Sequence, residues 1–190
     1  MTMRTFIALS LFIVAFAATP LTAHATSWEV ARDDSRIGFS GTHAGAPFQG
    51  TFKTWSAEIT FDPEALDQAK ATVTVDLASA ETGNATYDKS LPSADWFNTG
   101  SGAMATYTTD TIARGEGGSY VADGTLSLRG KQVPVTLTFD LDISGDTATM
   151  TGKSTIARLD FDIGRSSDAK GAWVSLDIPL DLKVVAKRAN

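Results

Sequence analysis

The stretch VPVTLTFDLDI, residues 133–143, alternates apolar and polar side chains throughout. Successive side chains of a β-strand point to opposite faces, so this pattern predicts a strand with one dry face and one wet face. The segment VSLDIPLDLKVVA, residues 174–186, alternates in the same way. Pro134 and Pro179 lack the amide hydrogen that a partner strand would bind, so we expect both at sheet edges or bulges.

Weaker alternation continues over most of the chain, and GEGG, RGKQ and SGD have the composition of turns between neighbouring strands. The further candidate strands are RIGFSGT, WSAEITFD, TVTVDL, MATYTTDTI, YVADGTLSLRG and TATMTGKSTIA. About eight antiparallel strands of this kind form either a sandwich or a closed barrel, and periodicity does not choose between the two. An outer-membrane barrel would carry girdles of aromatic residues, whereas the aromatic residues here are scattered.

One long connection, residues 79–103, interrupts the pattern with SAETGNATYDKSLPSADWFNTGSGA. It shows no strand alternation, and a helical turn is expected near residues 88–91 or 93–97. Connections of this length usually carry function or local structure.

The N-terminus has the features of a secretory signal peptide. A charged start, an apolar run and the small residues Ala23 and Ala25 predict cleavage after Ala25. A retained membrane anchor is the alternative, but the apolar run is short for a span. We therefore expect a signal peptide at residues 1–25, one domain at residues 26–190, a periplasmic location and no integral membrane span.

Composition excludes several classes of function. The net charge of −6 argues against nucleic-acid binding and against electrostatic docking on anionic lipid. The chain has no cysteine, which rules out disulfides, thiolate nucleophiles and zinc–sulfur sites. The segment RLDFDIGRSSDAKG contains Asp160, Asp162 and Asp168, but their spacing does not match an EF-hand loop, so a strand end and turn is favoured. We expect no metal site.

His43 is the only histidine outside the predicted signal peptide, and it lies in the glycine-rich segment FSGTHAGAPFQGTF. Three interpretations are open. It is a general base that works with an acid such as Asp88 or Asp95, a polar group at a cavity mouth that touches a ligand, or a structural histidine held by hydrogen bonds. The surrounding glycines suit tight backbone geometry and favour the structural interpretation. With no G-x-S-x-G motif in the chain, we expect no catalytic residues.

Five segments, in order, resemble the YceI-like family of exported bacterial proteins over residues 27–187. They are WEVARDDSRIGFSGTHAGAPFQGTF, TVTVDLASAETGNATYDKSLPSADWF, ADGTLSLRGKQVPVTL, RLDFDIG and VSLDIPLDLKVVAKR. The chain departs from the family pattern at Tyr87, where many members have a basic residue, and at Gly102 and Ala103, where they have Tyr-Pro. If that basic residue holds a headgroup, the ligand here has a neutral headgroup or none.

The resemblance implies an all-β, antiparallel, lipocalin-like β-barrel of about eight strands, with a hydrophobic cavity and a short helical connection. The family holds a long apolar chain in that tunnel: an isoprenoid quinone, a polyprenyl lipid or a fatty-acid-like amide. The expected ligand contacts come from the apolar strand faces, the long connection and the LRGK turn. They are Phe39, His43, Phe48, Phe52, Trp96, Phe97, Leu126, Leu128 and Arg129.

The function implied is a periplasmic, non-enzymatic binding or carrier protein for such a lipid, with no cofactor apart from the lipid itself. Two alternatives stay open: an enzyme that acts on the lipid, and an interaction module for a membrane redox or stress-response partner. The sequence also leaves a homodimer open.

Overall fold

The computed structural model describes residues 26–189; the predicted signal peptide lies outside them. Residues 26–189 form eleven strands and one short α-helix, α1, at Ala85–Ser90. The strands are β1 Ser27–Val30, β2 Arg36–His43, β3 Ala46–Phe52, β4 Trp55–Thr60, β5 Lys70–Asp76, β6 Ala80–Glu81, β7 Met104–Arg114, β8 Tyr120–Leu128, β9 Lys131–Ser144, β10 Thr147–Ala157 and β11 Asp177–Arg188. Within this part of the chain, no helix is long and apolar enough to cross a membrane.

The strands close into an antiparallel barrel of eight long strands, which confirms the predicted fold. Closure comes from β1, which pairs with β4 on one side and with β11 on the other. Three of the eight long strands are bent, and each consists of two consecutive strands: β1 with β2, β3 with β4, and β5 with β6. The second half of each bent strand keeps the neighbours of the ring, because β2 pairs with β11, β3 pairs with β2, and β6 pairs with β3. The strands β7 to β11 complete the ring as a meander.

Pro134 and Pro179 lie where only one partner strand is present, as predicted. Pro134 is paired with Thr125 of β8, whereas the pairing of β9 with β10 begins at Thr138. Pro179 is paired with Thr155 of β10, and the pairing of β11 with β2 begins one residue later. Because a second partner strand is absent at each proline, the missing amide hydrogen does not leave a carbonyl of a neighbouring strand unpaired.

The long connection is helical close to where the sequence indicated. The helix α1 begins after Asn84, whose side chain accepts hydrogen bonds from the backbone amides of Thr86 and Tyr87. It overlaps the predicted turn at residues 88–91, whereas residues 93–97 form turns without a helix. The connection therefore folds back over one end of the barrel.

The opposite end of the barrel is closed by aromatic packing. Phe61, Tyr120 and Phe139 are buried together, with the Phe61 and Tyr120 ring centroids 5.3 Å apart. Trp28 is buried beside them and donates a hydrogen bond of 2.9 Å from its indole nitrogen to the carbonyl of Phe61. We call this the aromatic floor.

Two glycines keep the interior of the barrel open. A Cβ atom on Gly50 would lie 2.3 Å from the Phe39 ring, and one on Gly124 would lie 2.7 Å from the Tyr107 ring. Both rings therefore lie flat over a glycine of the neighbouring strand instead of projecting across the lumen.

We predict that Gly50→Ala destabilises the protein by about 1–3 kcal/mol, because the added methyl group forces Phe39 off the wall. Gly100→Ala is the matched control, since a Cβ atom there meets nothing within 4 Å. Its effect should stay within about 0.5 kcal/mol. Urea unfolding followed by far-UV circular dichroism measures both. Equal stabilities of the two variants would show that the ring has room to move.

Candidate functional site

The barrel encloses a cavity of about 650 Å³ between the aromatic floor and the end covered by α1. Its wall is almost entirely apolar, and the inward faces predicted from the alternation of β9 and β11 line it. The wall residues of those two strands are Val135, Leu137, Phe139, Leu141, Ile143, Ile178, Leu180, Leu182, Val184 and Ala186. A volume of this size is in the range of small-molecule sites.

Polar side chains gather at the end away from the aromatic floor, which we call the mouth. It is formed by the β2–β3 hairpin, by α1 and by the segment at residues 158–176. The turn of the hairpin is Ala44–Gly45, and both residues have positive φ, as a two-residue hairpin turn requires. This turn places His43, the last residue of β2, at the cavity wall.

His43 and Tyr87 form a polar pair at the mouth. The hydroxyl oxygen of Tyr87 lies within hydrogen-bond distance, 3.1 Å, of Nδ1 of His43, and their ring centroids are 5.0 Å apart. The ring of Trp173 also stacks on the histidine, at a centroid distance of 6.4 Å. All three side chains line the cavity. The pair offers hydrogen-bonding groups next to the apolar wall.

A buried ion pair organises the rest of the mouth. The side chain of Arg158 is 1% exposed and contacts the carboxylate of Asp168 at 2.8 Å. The guanidinium also donates to the carbonyls of Ile163, Val174 and Ser175. The carboxylate in turn accepts backbone amides from residues 172–174. One charge pair therefore fixes most of the segment at residues 158–176.

The pKa of Asp168 lies below its ordinary value. Burial raises the pKa of Asp168, but the hydrogen bonds from the amides of Val174, Trp173 and Ala172, together with the Arg158 charge, lower this pKa by more than burial raises it. Burial also lowers the pKa of Arg158. Asp168 is therefore ionised at neutral pH.

Eight of the nine side chains predicted to contact a ligand line the cavity. They are Phe39, His43, Phe48, Phe52, Trp96, Phe97, Leu126 and Leu128.

Arg129 lies elsewhere, in the two-residue turn between β8 and β9, with positive φ. Its guanidinium donates to the carbonyls of Ala94 and Asp162, so it ties the long connection to the segment at residues 158–176. It is outside the cavity wall and forms no part of the site described here.

The carboxylates considered from the sequence are held by protein groups. Asp88 accepts hydrogen bonds from the amide and hydroxyl of Thr82, which lower its pKa. Asp95 accepts the amides of Ser166 and Ser167. The structure therefore shows no acid among the hydrogen-bond partners of His43 in the described residues.

Two of the three aspartates of the RLDFDIGRSSDAKG segment are likewise engaged. Asp162 pairs with Lys131 and Arg165, and Asp168 pairs with Arg158. Over residues 26–189, no group of three or more metal-ligating side chains is close enough to hold an ion.

Sequence reasoning missed Arg158, Tyr107 and Trp173. Arg158 lies just beyond the end of β10, two residues after the inward-facing Ile156, so an arginine that continues an apolar register was the available signal. Tyr107 lines the cavity, and its hydroxyl lies within hydrogen-bond distance of the carbonyls of Ala122 and Val135. Burial, followed by the charges of Asp123 and Asp110, raises its pKa to about 12. No sequence pattern indicated that Trp173 would fold back to the mouth.

Comparison with known sequences identifies relatives over the whole described chain. The sequence profile of the YceI-like domain matches residues 28–186. A UPF0312 protein of Shewanella baltica strain OS185 is 30% identical over 182 residues, which cover 91% of this chain and 95% of the relative. Protein YceI of Escherichia coli O157:H7 is 34% identical over 123 residues, 60% of this chain and 64% of that protein.

Solved structures show the same fold. Burkholderia cenocepacia BcnA superposes with a TM-score of 0.80 at 28% identity, over 84% of this chain and all of BcnA. A polyisoprenoid binding domain from Saccharophagus degradans superposes with a TM-score of 0.65 at 14% identity, over 87% of this chain and all of that domain.

We predict that Asp168→Asn lowers the free energy of unfolding by about 3–5 kcal/mol, because it leaves the Arg158 charge buried without a counterion. Asp146→Asn is the matched control: Asp146 pairs with Arg188, but its side chain is 86% exposed. Its cost should be below about 1 kcal/mol. Denaturant unfolding at neutral pH measures both, and similar costs would contradict a structural role for the buried pair.

The same pair predicts a pH dependence. A carboxylate whose native pKa is lowered contributes stability above its unfolded pKa, about 3.9, and loses it as the pH falls through the native pKa. We therefore expect the stability of the wild type to fall below about pH 4 and that of Asp168→Asn to fall less steeply. Parallel curves for the two proteins would assign the acid sensitivity to other carboxylates.

Proposed function

The chain belongs to the YceI-like family, and from this membership and the apolar cavity we propose that it binds a long isoprenoid lipid, of the quinone or polyprenyl type, with the tail inside the barrel. The observation that carries the proposal is the wall: strand after strand contributes apolar side chains to one enclosed volume of about 650 Å³. The Saccharophagus degradans domain of the same fold is a polyisoprenoid binding domain.

The size of the cavity indicates how much of a tail it accepts. A water-sized group takes about 30 Å³, so 650 Å³ has room for about 20 carbon atoms, or about four isoprene units. The aromatic floor closes the far end, so a longer tail would leave its remainder at the mouth.

Burial of the tail supplies the affinity. Each buried CH₂ contributes about 0.8 kcal/mol, so one isoprene unit contributes about 3 kcal/mol at best. Ordering of the tail offsets part of this, and measured affinities have an upper limit that the sum must not exceed. A site of this kind needs few polar contacts, which agrees with the small number of polar side chains in the wall.

The polar end of the ligand lies beside His43 and Tyr87 in this proposal. Their hydrogen-bonding atoms lie at the cavity wall, and Tyr87 stands where many family members have a basic residue. A carbonyl or hydroxyl oxygen of the ligand matches these two groups.

In this proposal the protein is a binding protein or carrier without catalytic activity, and it is located in the periplasm. The first part is supported by His43, whose hydrogen-bond partner in the described residues is a tyrosine hydroxyl rather than a carboxylate. The second part is supported by the signal-peptide pattern of residues 1–25.

Native mass spectrometry of the protein purified from a bacterial periplasm tests the proposal. We predict an extra mass that solvent extraction identifies as an isoprenoid lipid. Ala105→Phe should lose at least about 90% of it, because Ala105 is buried in the cavity wall on β7 and the ring occupies the lumen. Ala113→Phe, on the same strand but exposed, is the matched control and should keep the lipid. A wild type that carries no lipid and takes up none when it is added would refute the proposal and favour the interaction module.

The closed end predicts a limit on tail length. All four tryptophans line the cavity, so their fluorescence can follow titration with farnesol, geranylgeraniol and solanesol. We expect affinity to rise about tenfold or more from farnesol to geranylgeraniol and to change by less than about threefold from geranylgeraniol to solanesol. A continued steep rise to solanesol would mean that the tail leaves through the floor.

A further inference from the structure

Two exposed apolar side chains lie beside the mouth. Trp173 is 61% exposed and Leu176 is 40% exposed, although both belong to the segment that the buried ion pair holds in place. A third exposed residue of this kind, Met104 on β7, is 54% exposed but is not part of the cavity wall.

The tip of the β2–β3 hairpin extends this apolar surface. Residues 44–47, Ala-Gly-Ala-Pro, are exposed and carry no charge. The amide of Ala44 donates to the carbonyl of Trp173 at 2.7 Å, and the amide of Ser175 donates to the carbonyl of Thr42 at 3.0 Å. We call residues 44–47, Trp173 and Leu176 the rim. Backbone hydrogen bonds join its two parts into one surface.

Charged side chains of both signs surround the rim. Lys89 on α1 and Lys170 are exposed, and neither forms a salt bridge in the part of the chain that the structure describes. Asp88 and Asp95 accept hydrogen bonds from the protein, and Asp177 adds one exposed carboxylate. The residues of the rim itself carry no charge, on a chain with a net charge of −6.

The rim is also continuous with the cavity. The Trp173 ring stacks on His43, and both side chains line the cavity wall, so one apolar path runs from the outer surface into the lumen. Tryptophan and leucine are residues that favour the interface of a phospholipid bilayer.

We propose that the rim docks on a phospholipid bilayer and places Trp173 and Leu176 among the headgroups, so that a lipid tail passes between the membrane and the cavity without crossing water. This inference rests on the proposed function, because it takes the cargo to be a membrane lipid. It adds a membrane contact to the binding site.

Flotation with vesicles tests the docking. The vesicles contain four parts phosphatidylcholine to one part phosphatidylglycerol. Leu176→Asp places a charge on the rim without touching the cavity wall, and we expect the bound fraction to fall at least about fivefold, because an aspartate disfavours the membrane. Met104→Asp is the matched control and should bind like the wild type. Equal binding of the wild type and Leu176→Asp would overturn the proposal.

A second measurement locates the contact. Brominated phospholipid quenches tryptophans that enter the bilayer, and the other three tryptophans are buried or partly buried. We expect quenching in the wild type and at least about a threefold smaller effect in Trp173→Phe. Quenching that persists in Trp173→Phe would place the membrane contact elsewhere and overturn the proposal.

Loading separates this inference from the proposed function. Delivered from detergent, geranylgeraniol should enter wild type and Leu176→Asp equally, whereas transfer from vesicles should be at least about fivefold slower in Leu176→Asp. Transfer from vesicles at equal rates in wild type and Leu176→Asp would overturn the docking and leave the proposed function standing. No loading from either source would refute the proposed function. A wild-type dimer that Leu176→Asp dissociates, with no vesicle binding, would assign the rim to a second copy of the chain.

Discussion

Closure of the sheet by β1, which pairs with both β4 and β11, is the constraint on which the rest of the structure depends. A closed sheet needs only one dry face on each strand, so period-two alternation runs along nearly the whole chain. Eight strands enclose an interior that side chains can fill or that can hold one ligand. Gly50 and Gly124 decide between these outcomes, because Phe39 and Tyr107 lie flat over them and leave the lumen to an apolar molecule.

The two ends of the barrel are finished by different chemistry. Aromatic rings and an indole hydrogen bond close the floor, and the guanidinium groups of Arg114 and Arg188 lie over the Tyr120 and Trp28 rings. The mouth must let a ligand in, so the segment at residues 158–176 folds back beside the opening instead of filling it. The carbonyls and amides of such irregular backbone have no partners in a sheet or helix. Where they are buried, other groups must form hydrogen bonds with them. The Arg158 and Asp168 charges satisfy several of them at once, which explains a buried ion pair in an apolar protein.

The strands and much of the wall were predictable from the sequence, because a dry face repeats every second residue. The bent strands were harder to predict. Gln49 and Gly50 interrupt the apolar–polar alternation of β3, which was therefore not predicted as a strand. The mouth was predictable only in part. His43 was singled out by its rarity, but its partner Tyr87 lies 44 positions away on α1, and no periodicity links a strand end to a helix in a distant loop. Arg129 lies in the turn as expected, but its guanidinium binds backbone carbonyls and lies outside the cavity wall. The sequence does not distinguish these roles for a turn arginine.

The energetics of the cavity connect binding with exchange. If four isoprene units contribute about 3 kcal/mol each at best, the binding free energy approaches about 12 kcal/mol, which corresponds to a Kd of about 1 nM. With a typical association rate of about 10⁶ M⁻¹s⁻¹, such a ligand leaves into water about once in tens of minutes. Exchange on a faster timescale requires a path on which the tail stays in apolar surroundings. A rim built from Trp173, Leu176 and an uncharged hairpin tip supplies such surroundings at the opening of the cavity. A lipid tail that is bound tightly and still exchanges therefore needs both an apolar cavity wall and an apolar rim.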